Sequence, residues 1–496
     1  MKFSLLYAVP EEQNEVTSDV RYEMSLDRTA RAFCGDGAPT EAFLHVLSRP
    51  LLRVENIVHR QEIYRDFIAD PALFDELKVA FHRYDRIRGD WLELRSGVQA
   101  PPPDADCGVL LNRAFASLKV TAVFPRTLLS FYENFEEILT RHPVQSSCLV
   151  AMRDHCAAMR SNRALGEVAD IAARFRYHEA EDYHFSVLVS LDDSLRVCAC
   201  DLTDIVEGKS DKEKKSLLRT LLQKKDTVPS VVLDDGAEDG CRRLTADALS
   251  RIDRMLAAIT DGVYETFSGL SREMQFYDAA IAYAAHLTEW GMPLCFPKTE
   301  DTACDITEIH GLQDPFLVLE GIPSERIVGN DVSMQAGGSM LICGDNSTGK
   351  TVFLRALGTA QLFAQAGLPI CAEDARLSVR CGIFAHFSSA EEDDRSDSPA
   401  GRFEGEVREI AAIMDAVRPH SLVLLNETFQ TTAYREGAQG IYPILCALER
   451  LHCRFVFVTH LSEAASLVRQ GSTPISLYRS GDAAHPYRIE RVGGDV

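Results

Sequence analysis

The chain has 496 residues, 46% hydrophobic and 25% charged, an ordinary globular balance that excludes disordered and fibrous classes and leaves room for about three domains. Lys and Arg number 52 against 74 Asp and Glu, and the formal charge of −22 excludes a compact basic nucleic-acid module for the chain as a whole, though not a local basic patch. The apolar start at Met1 meets Pro10-Glu11-Glu12 too soon for a secretory signal, and no apolar stretch approaches the roughly 18 residues of a spanning helix.

The 14 cysteines are scattered and form no CxxC pair. They read as free thiols of a reducing compartment, and Cys381 with His386, or His452 with Cys453, lacks a second ligand pair nearby. A cytoplasmic chain with no membrane partner is expected.

In chain order, residues 1–110 read as a helical N-terminal part of a core. Ile63, Phe67, Leu73, Phe74, Leu77 and Phe81 recur close to the 3.6-residue period, and Asp70-Pro71 predicts a new helix with proline at its first position. Pro101-Pro102-Pro103 marks a stiff linker across residues 99–106. Residues 111–300 read as a helical lever with a small β element. Phe131, Tyr132 and Phe135 lie one turn apart, and 165–175 is alanine-rich and amphipathic. The period then drops to two: 185–189 and 195–199 flank Asp192-Asp193-Ser194, which predicts two strands around a turn. Just beyond stand Lys209, Lys212, Lys214, Lys215, Arg219, Lys224 and Lys225, opposed only by Asp211 and Glu213, for a local net charge of +5. This run is either a solvated face or a surface for phosphate-backbone contact with DNA. Residues 243–290 predict one or two helices and 291–306 a loop. Residues 301–496 form the third segment, an α/β domain.

The chemistry concentrates there. The apolar run Met340-Leu341-Ile342-Cys343 leads into Gly344-Asp345-Asn346-Ser347-Thr348-Gly349-Lys350-Thr351, and a helical pattern starts at Val352. Strand, glycine-rich loop and helix in this order are the context of a P-loop. The glycines let backbone amides approach phosphate oxygens, Lys350 reaches the β- and γ-phosphates, and the Thr351 hydroxyl holds Mg²⁺. ATP and Mg²⁺ are therefore the expected cofactors. A second strand, Leu422-Val423-Leu424-Leu425, ends at Asn426-Glu427. Glu427 is placed to polarise water or approach the metal. Asn426 stands where many P-loop enzymes carry an acid, so it offers an oxygen without a charge. A third strand, 454–459, ends at His460, placed to sense phosphate or orient water.

The order of these pieces resembles the MutS family of ABC-type ATPases. The P-loop is similar to the family's Gly-Pro-Asn-Met-Gly-Gly-Lys-Ser form, with Asn346 retained and Asp345 in place of proline. The resemblance places Asn330, in Val328-Gly329-Asn330-Asp331-Val332, near the adenine. It also likens 306–315 to the beginning of the ATPase domain and Arg60-Gln61 to the start of the central core domain. Several positions depart from the family. Asn426-Glu427 leads into Thr428-Phe429-Gln430-Thr431-Thr432 rather than Gly-Arg-Gly-Thr. The family's Ser-Thr-Phe element appears as Gly401-Arg402-Phe403, with Glu406 at the matching distance. Gly401 has no hydroxyl, so the contact to ATP across a dimer falls to its amide or to Arg402. The polar segment 388–399 between these elements is either a loop that orders when two ATPase domains close or a plain surface loop.

The fold implied is multidomain: a mainly helical core and lever region followed by a C-terminal ABC-type P-loop ATPase domain. The implied function is a nucleotide-gated homodimeric clamp on duplex or branched DNA. Hydrolysis would be carried by Lys350, Thr351 and Glu427 with His460. The front end is too short for the family's mismatch-reading domain, so standard mismatch reading is not expected. Two alternatives stand beside it: an ATP-driven module acting on a protein partner, which the −22 charge favours, and a nucleotide-binding scaffold with little turnover, which Asn426 favours.

Overall fold

The computed structural model describes residues 2–12, 14–97, 105–175, 183–191, 193, 197–207, 235–334, 338–388, 399–429, 434–481 and 485–492. The linker prolines, the 209–225 basic run and residues 389–398 of the acidic loop lie outside them.

The first helices are short: α1 (Ser18–Glu23), α2 (Leu26–Cys34) and α3 (Ala38–Leu47) precede the longer α4 (Val54–Ala69). The break at Asp70-Pro71 falls as predicted, and α5 (Pro71–Gly97) opens on the proline, where a missing amide hydrogen costs no helical bond. Then come α6 (Cys107–Thr121), α7 (Phe124–Arg141), α8 (Ser147–Arg160) and α9 (Arg163–Arg174). The carboxylate of Asp106 and the amide of Asn162 cap α6 and α9 by accepting from the amides of Val109 and Leu165. The predicted strand pair is an antiparallel hairpin of β1 (Tyr183–Leu191) and β2 (Val197–Glu207). Two helices follow, α10 (Asp235–Thr266) and α11 (Leu270–Glu289).

By length and composition alone, Cys107–Arg141 is long and apolar enough to cross a membrane, which corrects the sequence expectation that no such stretch exists. In the fold it is two helices, α6 and α7, and Phe115, Leu118, Phe124, Leu128 and Phe135 on them are buried, while Val109 is exposed.

The C-terminal part builds two sheets. β3 (Lys298–Glu300), β4 (Thr307–Leu312), β5 (Asn330–Met334) and β7 (Asp374–Ser378) form one, in the order β3-β7-β4-β5. Residues 291–306 were expected to be a loop. Instead they contain β3, paired in parallel with β7, and a 3₁₀ turn at Thr302–Cys304. Three residues are too few to show a period of two, so pairing with a distant strand decides the conformation. The second sheet contains β6 (Ser339–Cys343), β8 (Ile383–Phe387), β9 (Leu422–Asn426), β10 (Arg454–Thr459), β11 (Ile475–Ser480) and β12 (Ile489–Arg491), in the order β12-β11-β6-β10-β9-β8. All neighbours run parallel except β12, which returns antiparallel along β11. Every residue of β9 and β10 is buried, which explains their unbroken apolar runs. The helices of this part are α12 (Phe316–Leu319), α13 (Lys350–Gln365), α14 (Pro399–Ala416), α15 (Tyr434–Arg450) and α16 (Ser462–Gln470).

Contacts divide the chain into two compact units, and the division does not follow chain order. One unit is Met1–Phe3, Pro71–Val144 and Leu149–Ser271; the other is Ser4–Asp70, Gln145–Cys148 and Arg272–Val496. The sequence boundaries at 110 and 300 therefore fall inside these units. In the first unit, Tyr84, Phe131, Tyr132, Phe135 and Phe267 make an aromatic cluster, and the Trp91 indole donates to Asp261 at 2.8 Å. In the second unit, α1 through α4 belong with the α/β part. Arg60 is fully buried there and donates to the carbonyls of Leu6 (2.9 Å) and Ala366 (3.2 Å). A buried polar chain also runs Arg380–Asp305–Arg454–Glu449–Ser339. No disulfide forms among the described residues. Burial pushes the Cys148 and Cys156 thiols up to about 12, which disfavours the thiolate form.

Candidate functional site

The site lies where the parallel strands β6, β10 and β9 end, the edge at which open α/β sheets bind ligands. From Cys343 the chain turns through 344–349 and enters α13 at Lys350. Two residues in this turn are left-handed, Ser347 at φ 64° and Gly349 at φ 85°. Gly344 is required for a different reason: a Cβ there would stand 2.0 Å from the Ser480 hydroxyl at the end of β11. The Ser480 hydroxyl lies 2.6 Å from that of Thr348, whose own proton is donated to the Asp345 carbonyl at 2.7 Å.

Lys350 is buried. Its ammonium donates to the carbonyls of Gly344 (2.8 Å) and Asp345 (2.7 Å) and stands 3.8 Å from the Glu427 carboxylate. Burial lowers its pKa, and the charges of Glu427, Asp345 and Cys343 act against that shift. The Thr351 hydroxyl donates to the side-chain oxygen of Asn426 at 3.2 Å. One turn of helix and one strand end thus bring together residues 75 positions apart.

Glu427 follows β9 in a left-handed conformation (φ 51°), and Phe429 is left-handed as well (φ 65°). Each such residue costs about 1–3 kcal/mol and persists only where its surroundings hold it. The Glu427 amide donates to Val458 O at 3.0 Å. Its carboxylate accepts from the His460 amide (3.1 Å) and lies 2.9 Å from His460 Nδ1. His460 therefore meets the site through Glu427.

These groups border a cavity of about 830 Å³, within the size range of small-molecule sites. Asn346, Ser347, Thr348, Gly349, Lys350, Thr351, Val352, Asn426 and Glu427 line it, whereas Gly344, Asp345 and His460 do not. Leu317, Ile322, Pro323, Ile327 and Val328 form an apolar wall, and Asn330 and Tyr487 close the rim. Asn330 holds that rim: its side-chain nitrogen donates to Tyr487 O at 3.3 Å and its oxygen accepts from Ile489 N at 2.7 Å. Tyr487 is left-handed (φ 69°), half-exposed, and its ring atom Cδ1 lies 3.3 Å from where a Gly349 side chain would begin.

Sequence reading misses Tyr487 and Ser480; it names His386 only beside Cys381 as a possible metal ligand and Ser388 only as the start of the 388–399 segment. Tyr487 arrives only because β12 folds back along β11, and no local motif announces that return. Ser388 lines the cavity, and its hydroxyl donates to Glu406 at 2.6 Å. The sequence marks Glu406 only by its spacing from Phe403. Gly401 and Arg402 fall in the first turn of α14, and the Arg402 side chain lies outside the described residues.

Among the described residues, no group of three or more His, Cys, Asp or Glu gathers to hold a metal. The oxygens at the strand ends are the Thr351 hydroxyl, the Asn426 amide and the Glu427 carboxylate. They are hard donors of the kind Mg²⁺ takes, too few to hold it without water or phosphate oxygens. The arrangement suits an anionic, phosphate-bearing ligand: a buried ammonium and a helix N-terminus share the cavity lining with apolar side chains.

Residues 340–477 match the family model described as MutS domain V. DNA mismatch repair protein MutS of Granulibacter bethesdensis is 29% identical over 268 residues, 50% of this chain and 28% of that protein. Endonuclease MutS2 of Pelotomaculum thermopropionicum is 28% identical over 408 residues, 76% of this chain and 49% of that protein. MutS protein homolog 4 of Mus musculus is 24% identical over 461 residues, 84% of this chain and 46% of that protein. The chain thus spans less than half the length of these relatives.

Proposed function

We infer from the MutS domain V match at residues 340–477 that the chain is a MutS-family, nucleotide-binding protein, and from that premise we propose that it is a Mg²⁺-dependent ATPase whose nucleotide state gates a homodimeric clamp on DNA. The observation that carries the ATPase reading is the convergence of Lys350, Thr351, Asn426 and Glu427 on one cavity with an apolar wall. The 344–349 loop would act as the P-loop, with its amides and Lys350 on the phosphates, and the base would lie against the wall beneath Tyr487. Thr351, Asn426 and Glu427 would help hold Mg²⁺, which would supply neutralisation of phosphate charge. Glu427 would orient the attacking water and take its proton. The water oxygen bonds to the γ-phosphorus as the bridging P–O bond breaks, and ADP leaves with that electron pair. His460, hydrogen-bonded to Glu427, would keep the carboxylate on its target. Positioning and charge stabilisation carry most such reactions.

The test is Mg²⁺-dependent release of phosphate from ATP. Turnover in the wild type that disappears in Glu427→Ala, with nucleotide binding retained there and lost in Lys350→Ala, supports the reading. Binding without turnover in the wild type overturns hydrolysis and favours a scaffold.

The DNA part rests on what the relatives are named for and on the 209–225 basic run. It predicts that ATP-bound protein binds duplex, mismatched or branched DNA with an affinity that falls steeply with salt. Neutralising the seven basic residues should flatten that slope. No binding at low salt would favour the second reading, an ATP-driven module acting on a protein partner, for which the −22 charge speaks. The compartment proposed is the cytoplasm.

A further inference from the structure

The two residues that follow Glu427 are bonded to side chains that do not line the cavity, His386 and Glu406. The first of the two, Thr428, is fully buried, and its hydroxyl lies 2.9 Å from Nδ1 of His386 on β8. The other ring nitrogen, Nε2, stands 3.1 Å from the Glu409 carboxylate on α14. A carboxylate can only accept here, so Nε2 carries the proton and Nδ1 accepts from the Thr428 hydroxyl. The next residue, Phe429, donates its amide to the buried carboxylate of Glu406 at 3.0 Å. The second oxygen of Glu406 takes the Ser388 hydroxyl at 2.6 Å, and the Ser388 amide donates to the carbonyl of Asn426 at 3.0 Å. The rings of Phe403 and Phe429 lie 5.5 Å apart. Residues 427–429 thus leave the sheet through two left-handed residues with one partner from β8 and one from α14 on the backbone and side chains between them.

We propose that Glu406 and His386 are positioning residues for Glu427: through Phe429 and Thr428 they hold the strained turn that aims its carboxylate at the nucleotide cavity. The proposal rests on the reading of Glu427 as the residue that orients water. It adds a brace supplied largely by α14, a helix none of whose described side chains lines the cavity. Without the brace the turn can relax toward right-handed backbone, and the carboxylate leaves its place while Lys350 and the loop remain.

The experiment uses the full chain and measures steady-state Mg-ATP turnover, nucleotide affinity and thermal midpoint for wild type, Glu406→Ala, Glu406→Gln and His386→Phe. Glu406→Ala is expected to lower kcat by about tenfold or more with KM and nucleotide affinity within about twofold. Glu406→Gln should recover part of kcat, because its amide oxygen still accepts from Phe429. In a Glu427→Ala background, Glu406→Ala should change the residual single-turnover rate by less than about twofold, since it acts through the missing group. Hydrogen exchange at the Phe429 amide should accelerate in Glu406→Ala while α13 stays protected. His386→Phe repeats the kcat test if Glu406→Ala does not fold. Unchanged kcat in an active protein, an equal loss in the Glu427→Ala background, or loss of affinity in step with kcat overturns the proposal alone. A wild type that binds ATP without turnover overturns both the proposal and the ATPase reading beneath it.

Discussion

Ser480 shows how far a single glycine can depend on a residue distant in sequence. Gly344 is compulsory because the Ser480 hydroxyl occupies the space a Cβ would fill. Gly344→Ala should therefore lose about 1–3 kcal/mol of stability and weaken nucleotide binding. Adding Ser480→Ala should restore part of both, because the nearest remaining contact is 3.2 Å. Equal thermal midpoints for the single and double variants would show that the contact does not matter. Asn426 offers a second test. It accepts from Thr351 and carries no charge. Asn426→Asp should lower the Mg²⁺ concentration that half-saturates nucleotide binding, measured by titration at fixed ATP analogue. An unchanged midpoint would place the metal elsewhere.

At the scale of elements, α13 is anchored at both ends. Its first turn faces the cavity. Its last turn exchanges backbone and side-chain bonds with the segment before α4: the Leu51 amide donates to Gln365 O, and the Gln365 side chain donates to Leu51 O. Arg60 on α4 donates to Ala366 O, and Gly367 is left-handed (φ 79°), with the Arg60 side chain 2.6 Å from where a Cβ would stand. Arg60→Met keeps the length and removes the donors. The carbonyls of Leu6 and Ala366 are then left in an apolar setting, at about 1–3 kcal/mol each. Urea unfolding should show a loss of about 2–5 kcal/mol. A loss below about 1 kcal/mol would mean the two carbonyls find other donors.

At the scale of the whole molecule, pH acts through buried histidines. Burial lowers the pKa of His59, whose Nε2–H donates to Ser4 O at 3.0 Å, and that of His386. In the unfolded chain these rings take a proton near pH 6.5, while in the fold they resist it until lower pH. Their stabilising contribution is complete above about pH 6.5 and is lost as pH falls through the lowered folded values. Denaturant midpoints should therefore decline between pH 7 and 5. His59→Gln, which keeps a donor and cannot titrate, should make the decline shallower. An identical slope would assign the acid sensitivity to other groups.

What the sequence determined by itself was the local chemistry. The 344–351 loop between strand and helix, the strands ending at Asn426-Glu427 and His460, the hairpin and the break at Asp70-Pro71 all rest on periods of 2 or 3.6 and on glycine or proline at fixed offsets, which act over a few residues. The tertiary structure decided what depends on distant pairing. It set β3 beside β7, assigned Ser4–Asp70 to the α/β unit, and split the apolar stretch 107–141 into the two helices α6 and α7. It also brought Tyr487 to the rim and set Glu406 and His386 behind Glu427. None of these leaves a local pattern, because a three-residue strand, a buried carboxylate on α14 and a tyrosine after an antiparallel return look ordinary until the neighbours that need them arrive.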